Sequence, residues 1–285
     1  MKIIKAYKNG LNDTLKHLRL ATTSYLFLLI PGLLLALPYR HFFASAVNSY
    51  ITPENLLKGF DYTAYAELMR FEGDKILAST TNAVWLVIFF VFVSLFITAG
   101  ILHVISGNHK GTLANFVTGG THYFWRFLKL KIYFLPVHLV MAIIIYAPFA
   151  IMFKSRLDSA FNEKEMFFLF LPFLIVHFLV LIYLFTINNY SKIIIVENDS
   201  RKVLGSLWEA VKFVSGKFFG TYTLTLLLSL VPVVLLVIYW NLSGVMQPDS
   251  AGMIFIVFII QQFYLWLRSA MKIWLMAGQV EYHRM

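Results

Sequence analysis

Polar and apolar positions follow two alternating patterns along this chain. In the first, over residues 2–20, Ile4, Tyr7, Leu11, Leu15 and Leu18 step by three and four. Lys5, Lys8, Asn12, Lys16 and Arg19 step the same way along the flank of that stripe. This spacing predicts an amphipathic helix, and basic residues beside aliphatic ones suit an anionic membrane surface. The other pattern is the long apolar run. Six of these predict spans near 21–39, 81–105, 132–153, 166–187, 218–240 and 253–276. Each meets or approaches the ~20 residues that cross a ~30 Å hydrocarbon core.

The two patterns recur in order. A basic amphipathic stretch leading into an apolar run with an interior proline occurs most clearly over 188–240, and more loosely over 1–39 and 112–153. Each is followed by a returning span. The expected architecture is therefore all-α: a single integral membrane domain over 1–285, with six transmembrane helices, cytoplasmic amphipathic elbow helices and a threefold internal repeat. Pro31, Pro136 and Pro232 lie in the odd spans and Pro172 in the fourth. They resemble the broken helices of transporters, although proline is enriched in membrane helices generally.

The second elbow, 106–131, is expected to break into short pieces at Gly107, Gly111, Gly119 and Gly120. The loop 40–80 should carry two short helices on the outer surface. The first starts at Thr52-Pro53-Glu54 and ends at Gly59; the second starts at Asp61 and ends at Gly73. Ala44-Ser45-Ala46 matches a signal-peptide cleavage pattern. The apolar run before it is longer than a signal core and starts late, so a retained first span is expected.

Composition agrees with the pattern. Of 285 residues, 59% are hydrophobic and 13% charged, against about 45–50% and about 25% in globular domains. The net charge of +10 is explained by topology, without a nucleic-acid partner. Lys and Arg number 17 in the N-terminal, 106–131, 188–217 and C-terminal segments, against 7 in the alternate loops. That asymmetry places both termini in the cytoplasm. There is no cysteine, which excludes disulfides and thiolate chemistry.

No metal set, nucleophile elbow or phosphate loop is present, so no catalytic residue and no cofactor is expected. Ionisable groups inside a membrane are functional candidates by default. His138 lies ~9 Å, and His177 ~15 Å, from the cytoplasmic ends of adjacent spans at helical rise. They form a candidate polar pair, with singly satisfied interior histidines as the plainer reading. Gln261, Arg268 and Lys272 step by seven and four and so share a face of the last span. They form a candidate site for an anionic lipid headgroup, with snorkelling of the two cations as the alternative.

The run SKIIIVENDSRKVLGSLWEAVKFVSGKFFG, 191–220, resembles a recurrent bacterial pattern. In it a span is followed by an I-V-x-E-like strip and an amphipathic helix that re-enters the membrane. It is similar to the membrane region associated with some glycerophosphodiester phosphodiesterases, and to bacterial six-span membrane families. The resemblance implies a membrane module acting at lipids or beside protein partners. It carries over no active-site residue, since no phosphodiesterase domain is present. The leading expectation is a non-enzymatic protein of the bacterial inner membrane. On this reading it interacts with anionic lipids or organises protein partners. A small transporter or lipid permease is the first alternative and an intramembrane enzyme the second.

Overall fold

The computed structural model describes residues 2–49, 62–153, 163–246 and 250–285. Among these the secondary structure is helical: α1 (Lys2–Lys16), α2 (Leu18–Ser49), α3 (Tyr62–Ser106), α4 (Leu113–Met152), α5 (Glu163–Glu197), α6 (Val203–Gly216), α7 (Phe218–Val245) and α8 (Ala251–His283). Among the described residues, five helices are long and apolar enough to cross a membrane, six when the bent α1–α2 pair counts as one span. This is an all-α polytopic membrane protein. Both termini sit at one end of the bundle, where the Lys2 ammonium donates to the Met285 carbonyl at 3.2 Å.

The helices pack in three similar sets. The returning spans α3, α5 and α8 all contact one another, and each outgoing span bridges two of them. Thus α2 lies against α8 and α3, α4 against α3 and α5, and α7 against α5 and α8. The elbows follow the same cycle. α1 packs on α8, and α6 packs on α5. The first turns of α4 pack on α3, where Gly119 and Gly120 lie against His103 and Phe96. Repeated sequence units thus become repeated packing units.

Two expectations about helix ends are corrected. Gly119 and Gly120 do not break the second elbow; α4 runs unbroken from Leu113 through the span. A helical glycine costs about 1 kcal/mol against alanine, but here it lets two helix backbones approach, and the packing outweighs the cost. Gly73 likewise does not end a surface helix, since α3 passes through it. The first outer helix, expected between residues 52 and 59, lies outside the described residues. The N-terminal elbow is a true bend: α1 and the first turns of α2 meet at 74°, with His17 at the break.

Two of the returning helices, α3 and α5, stop by the same device. At the end of α3, His109 N–H reaches the Val104 carbonyl at 3.0 Å and Asn108 takes φ 49°. At the end of α5, Ser200 N–H reaches the Ile195 carbonyl at 3.0 Å and Asp199 takes φ 42°. Both are Schellman closures, and Asn and Asp are the non-glycine residues that tolerate this left-handed position.

The packed core lies toward the terminus-bearing end. Phe116, Phe127, Tyr190, Ile194, Leu224 and Ile273 are fully buried there, and in a membrane such packing is held by van der Waals contact rather than by exclusion of water. Toward the far end much of the helix surface is exposed and apolar. On α7, Val233, Val234, Leu236, Val237 and Ile238 are all exposed, covering most of its circumference. Such surfaces suit hydrocarbon surroundings.

Candidate cation cluster between the returning spans

Between Glu209 and Glu281 the sole acidic residue is Asp249, and between residues 84 and 196 the acids are Asp158, Glu163 and Glu165. Cations placed in the spans therefore have few carboxylates to meet. Four of them lie on three helices, of which α5 contacts both α4 and α8. Arg268 and Lys272, one turn apart on α8, lie within electrostatic range of each other. Lys272 is likewise in range of Lys192 on α5, which is in range of Lys131 on α4. The Lys192 ammonium sits 5.9 Å from the centroid of the Phe127 ring. Lys192 and Lys272 are half-buried; Lys131 and Arg268 are more open. Among the described residues, none of the four forms an ion pair or a hydrogen bond. The nearby carboxylate Glu197 is already engaged, by His283 at 2.6 Å and Arg284 at 2.8 Å.

Further along α5 from Lys192 the helix turns apolar. Leu174, Phe178, Leu181, Phe185, Asn188 and Lys192 step by four and three, so they share one face of α5. Leu174, Ile175, His177, Phe178 and Leu181 line an open apolar groove of about 420 Å³. Asn188, one turn above Lys192, has a buried carbonyl oxygen with no hydrogen-bond partner. Polar atoms at the floor and hydrocarbon above is the arrangement a lipid presents in reverse.

Of the residues singled out from sequence, Arg268 and Lys272 join this cluster. Gln261 shares their face of α8 and is exposed. His138 and His177 are not brought together. The His138 Nδ1 contacts its own helix, at 2.6 Å from the Phe134 carbonyl. His177 stacks on Tyr146 with ring centroids 5.2 Å apart, eight residues or ~12 Å further along α4 than His138. Its Nδ1 is buried without a partner. Lys192 and Lys131 were not singled out from the sequence. The available signal was a lysine just before the aliphatic run Ile193 to Val196, with no acid within four residues on either side.

Two other polar clusters lie at the terminus-bearing end. Asp199 accepts from Arg126 at 2.6 Å and contacts His122 at 3.0 Å. This pairing holds the Asp199 carboxyl down from its ordinary value of 3.8 to about 2. Lys16, His17, Arg19, Lys110, Gly111 and Thr112 line a cleft of about 310 Å³ at the start of α4. There Lys16 is already paired with Asp13 at 3.3 Å. No group of three or more His, Asp or Glu residues among the described ones is arranged to hold a metal ion. Comparison with protein-family models, curated proteins and solved structures gives no match to this chain.

Proposed function

We propose that this is a non-enzymatic, lipid-interacting protein of a bacterial inner membrane, which holds the phosphate of an anionic lipid at Arg268 and Lys272 and organises its surroundings through that contact. The observation that carries this reading is the set of cations on α4, α5 and α8 with no carboxylate partner among the described residues. An unpaired charge removed from water is strongly unfavourable, and a phosphate relieves it. Arginine suits that role because its fork donates two parallel hydrogen bonds to one phosphate. The orientation, with both termini cytoplasmic, rests on the Lys and Arg asymmetry and places the cluster toward the inner leaflet.

Native mass spectrometry of the wild type and Arg268→Leu, titrated with phosphatidylglycerol or cardiolipin, tests it. The wild type should retain anionic lipid and the variant should lose most of it. Unchanged retention in the variant would sink the proposal and leave Arg268 as a snorkelling anchor. A second reading, a lipid permease, draws on the interior prolines Pro136, Pro172 and Pro232 of α4, α5 and α7, which resemble those of broken transporter helices. Acceleration of lipid exchange between leaflets in proteoliposomes, absent from protein-free vesicles, would favour it over a purely binding role.

A further inference from the structure

The basic cleft at the start of α4 is formed by two parts of the chain far apart in sequence. Lys16, His17 and Arg19 come from the bend where α1 turns by 74° into α2. Lys110, Gly111 and Thr112 come from the loop before α4. Specific contacts set the shape of the cleft. A Cβ on Gly111 would stand 3.2 Å from the His17 Cδ2, so a glycine lets the loop come this close to the bend. The loop is braced by its own helix: the Asn115 side-chain amide donates to the Lys110 carbonyl at 2.9 Å. His17 is oriented from the other side, with its Nδ1 2.8 Å from the Asp13 carbonyl. A carbonyl only accepts, so Nδ1 carries the proton. Nε2, the ring nitrogen next to Cδ2, is left for a ligand.

The charge in the cleft is one-sided. None of its lining residues is acidic. Asp13, one turn before Lys16 and His17, is already paired with Lys16 at 3.3 Å. Among the described residues, Arg19 and Lys110 have no ion pair and no side-chain hydrogen bond. An anion entering the cleft therefore meets two free cations, one from each wall. No free carboxylate lines it to receive the ammonium of a zwitterionic headgroup.

Depth and rim identify the kind of anion. Arg19 stands seven residues before Leu26, where α2 turns continuously apolar. That is about 10 Å at helical rise, close to the depth of a headgroup layer outside the hydrocarbon core. Leu18, between His17 and Arg19, and Leu113, next after Thr112, are both exposed. A cationic floor beside exposed leucines suits a phosphate that carries hydrocarbon.

We infer that this cleft is a second site for an anionic lipid, with the lipid phosphate between Arg19 and Lys110. The recognised chemistry is a phosphate monoanion, which a soluble phosphate shares; the leucine rim selects the lipid. The inference extends the proposed lipid-binding role but shares no residue with Arg268 and Lys272. A lipid held here ties the first bend to the loop between α3 and α4.

The test uses the full chain in neutral detergent, carrying Arg268→Leu so that the other site is removed. It is titrated with phosphatidylglycerol, phosphatidylcholine and inorganic phosphate, and binding is read by native mass spectrometry and thermal unfolding. Arg19→Gln and Lys110→Gln are added one at a time. Both positions are exposed, so neither change disturbs the core. Arg201→Gln removes an exposed cation outside the cleft and serves as the control. The Arg268→Leu protein should still take up phosphatidylglycerol saturably and gain thermal stability from it. Arg19→Gln and Lys110→Gln should each weaken that uptake about tenfold, as loss of one charged hydrogen bond does. Arg201→Gln should leave it unchanged, and phosphatidylcholine should bind more weakly than phosphatidylglycerol. An equal loss in Arg201→Gln would overturn the inference in favour of diffuse surface attraction. Inorganic phosphate that displaces the lipid at matching concentration would overturn it in favour of a soluble ligand. Loss of all lipid in Arg268→Leu alone would overturn the second site and leave the proposed function standing. Full retention in Arg268→Leu, abolished by Lys110→Gln, would support the cleft and remove the proposed site on α8.

Discussion

Asp199 closes α5 in a left-handed conformation and at the same time pairs with Arg126 and His122 of α4. Its carboxyl is held at about 2 against an ordinary 3.8, chiefly by the Arg126 and His122 hydrogen bonds. A depressed carboxylate stabilises the folded state above its unfolded pKa, and that contribution is lost as pH falls through its folded one. Asp199→Asn keeps the left-handed tolerance and removes the charge. In low salt the wild type should be the more stable near neutral pH, and the difference should close between about pH 4 and pH 2. A pH-independent difference in thermal unfolding would contradict the assignment. Gly10 makes a different demand. A Cβ there would lie 2.6 Å from the Gly278 nitrogen, so Gly10→Ala should destabilise the α1–α8 contact by about 1–3 kcal/mol, the usual cost of overpacking. Neither of these residue roles was legible in sequence, because each depends on a partner far along the chain. The same holds for the cation cluster. Arg268 and Lys272 could be read together because helical periodicity links them, whereas Lys192 and Lys131 join them only through tertiary packing.

At the scale of the element, α1 shows how much periodicity can tell. Its expected apolar stripe exists but is divided: Tyr7 packs against Trp274 of α8, while most of the packed face is made by smaller residues. Ala6, Gly10 and Thr14 are buried against the bundle. Ile4 and Leu15, at 62% and 56% exposure, face outward beside Lys5 and Lys8. Sequence periodicity identifies the greasy face; it cannot say that small residues at a neighbouring angle allow closer backbone contact. The outward stripe and its lysines are placed to enter a membrane interface. Because the chain has no cysteine, Leu15→Cys and Asn12→Cys can each carry an environment-sensitive fluorophore in anionic nanodiscs. The label at position 15 should emit further to the blue and be quenched by lipid nitroxides, while the label at position 12 should be less affected. Equal, water-like emission from both would show that α1 does not touch lipid. The second elbow was misread for a related reason: glycine pairs in a single sequence look the same whether they end a helix or let it pack closely.

For the whole molecule, the apolar runs made the span count readable, and the recurring elbow-and-span pattern foreshadowed a threefold contact scheme. The order of the helices around the centre was not readable, since it is decided by close approaches such as those of Gly119 and Gly120 to α3. Orientation is open to direct test. Thr63→Cys and Ala251→Cys should react with an impermeant reagent in intact cells, and Lys110→Cys and Arg201→Cys after lysis alone. Labelling of Arg201→Cys in intact cells would reverse the topology. The central claim is that lipid phosphate replaces the missing carboxylates between α5 and α8. Solid-state NMR on protein in bacterial-lipid liposomes, with nitrogen-15 in the arginine and lysine side chains, reads this contact through dephasing by lipid phosphorus-31. The account predicts strong dephasing of the Arg268 and Lys272 side-chain nitrogens, weakened in Lys192→Gln. Dephasing confined to the surface lysines of α1, with Arg268 and Lys272 unaffected, would contradict it.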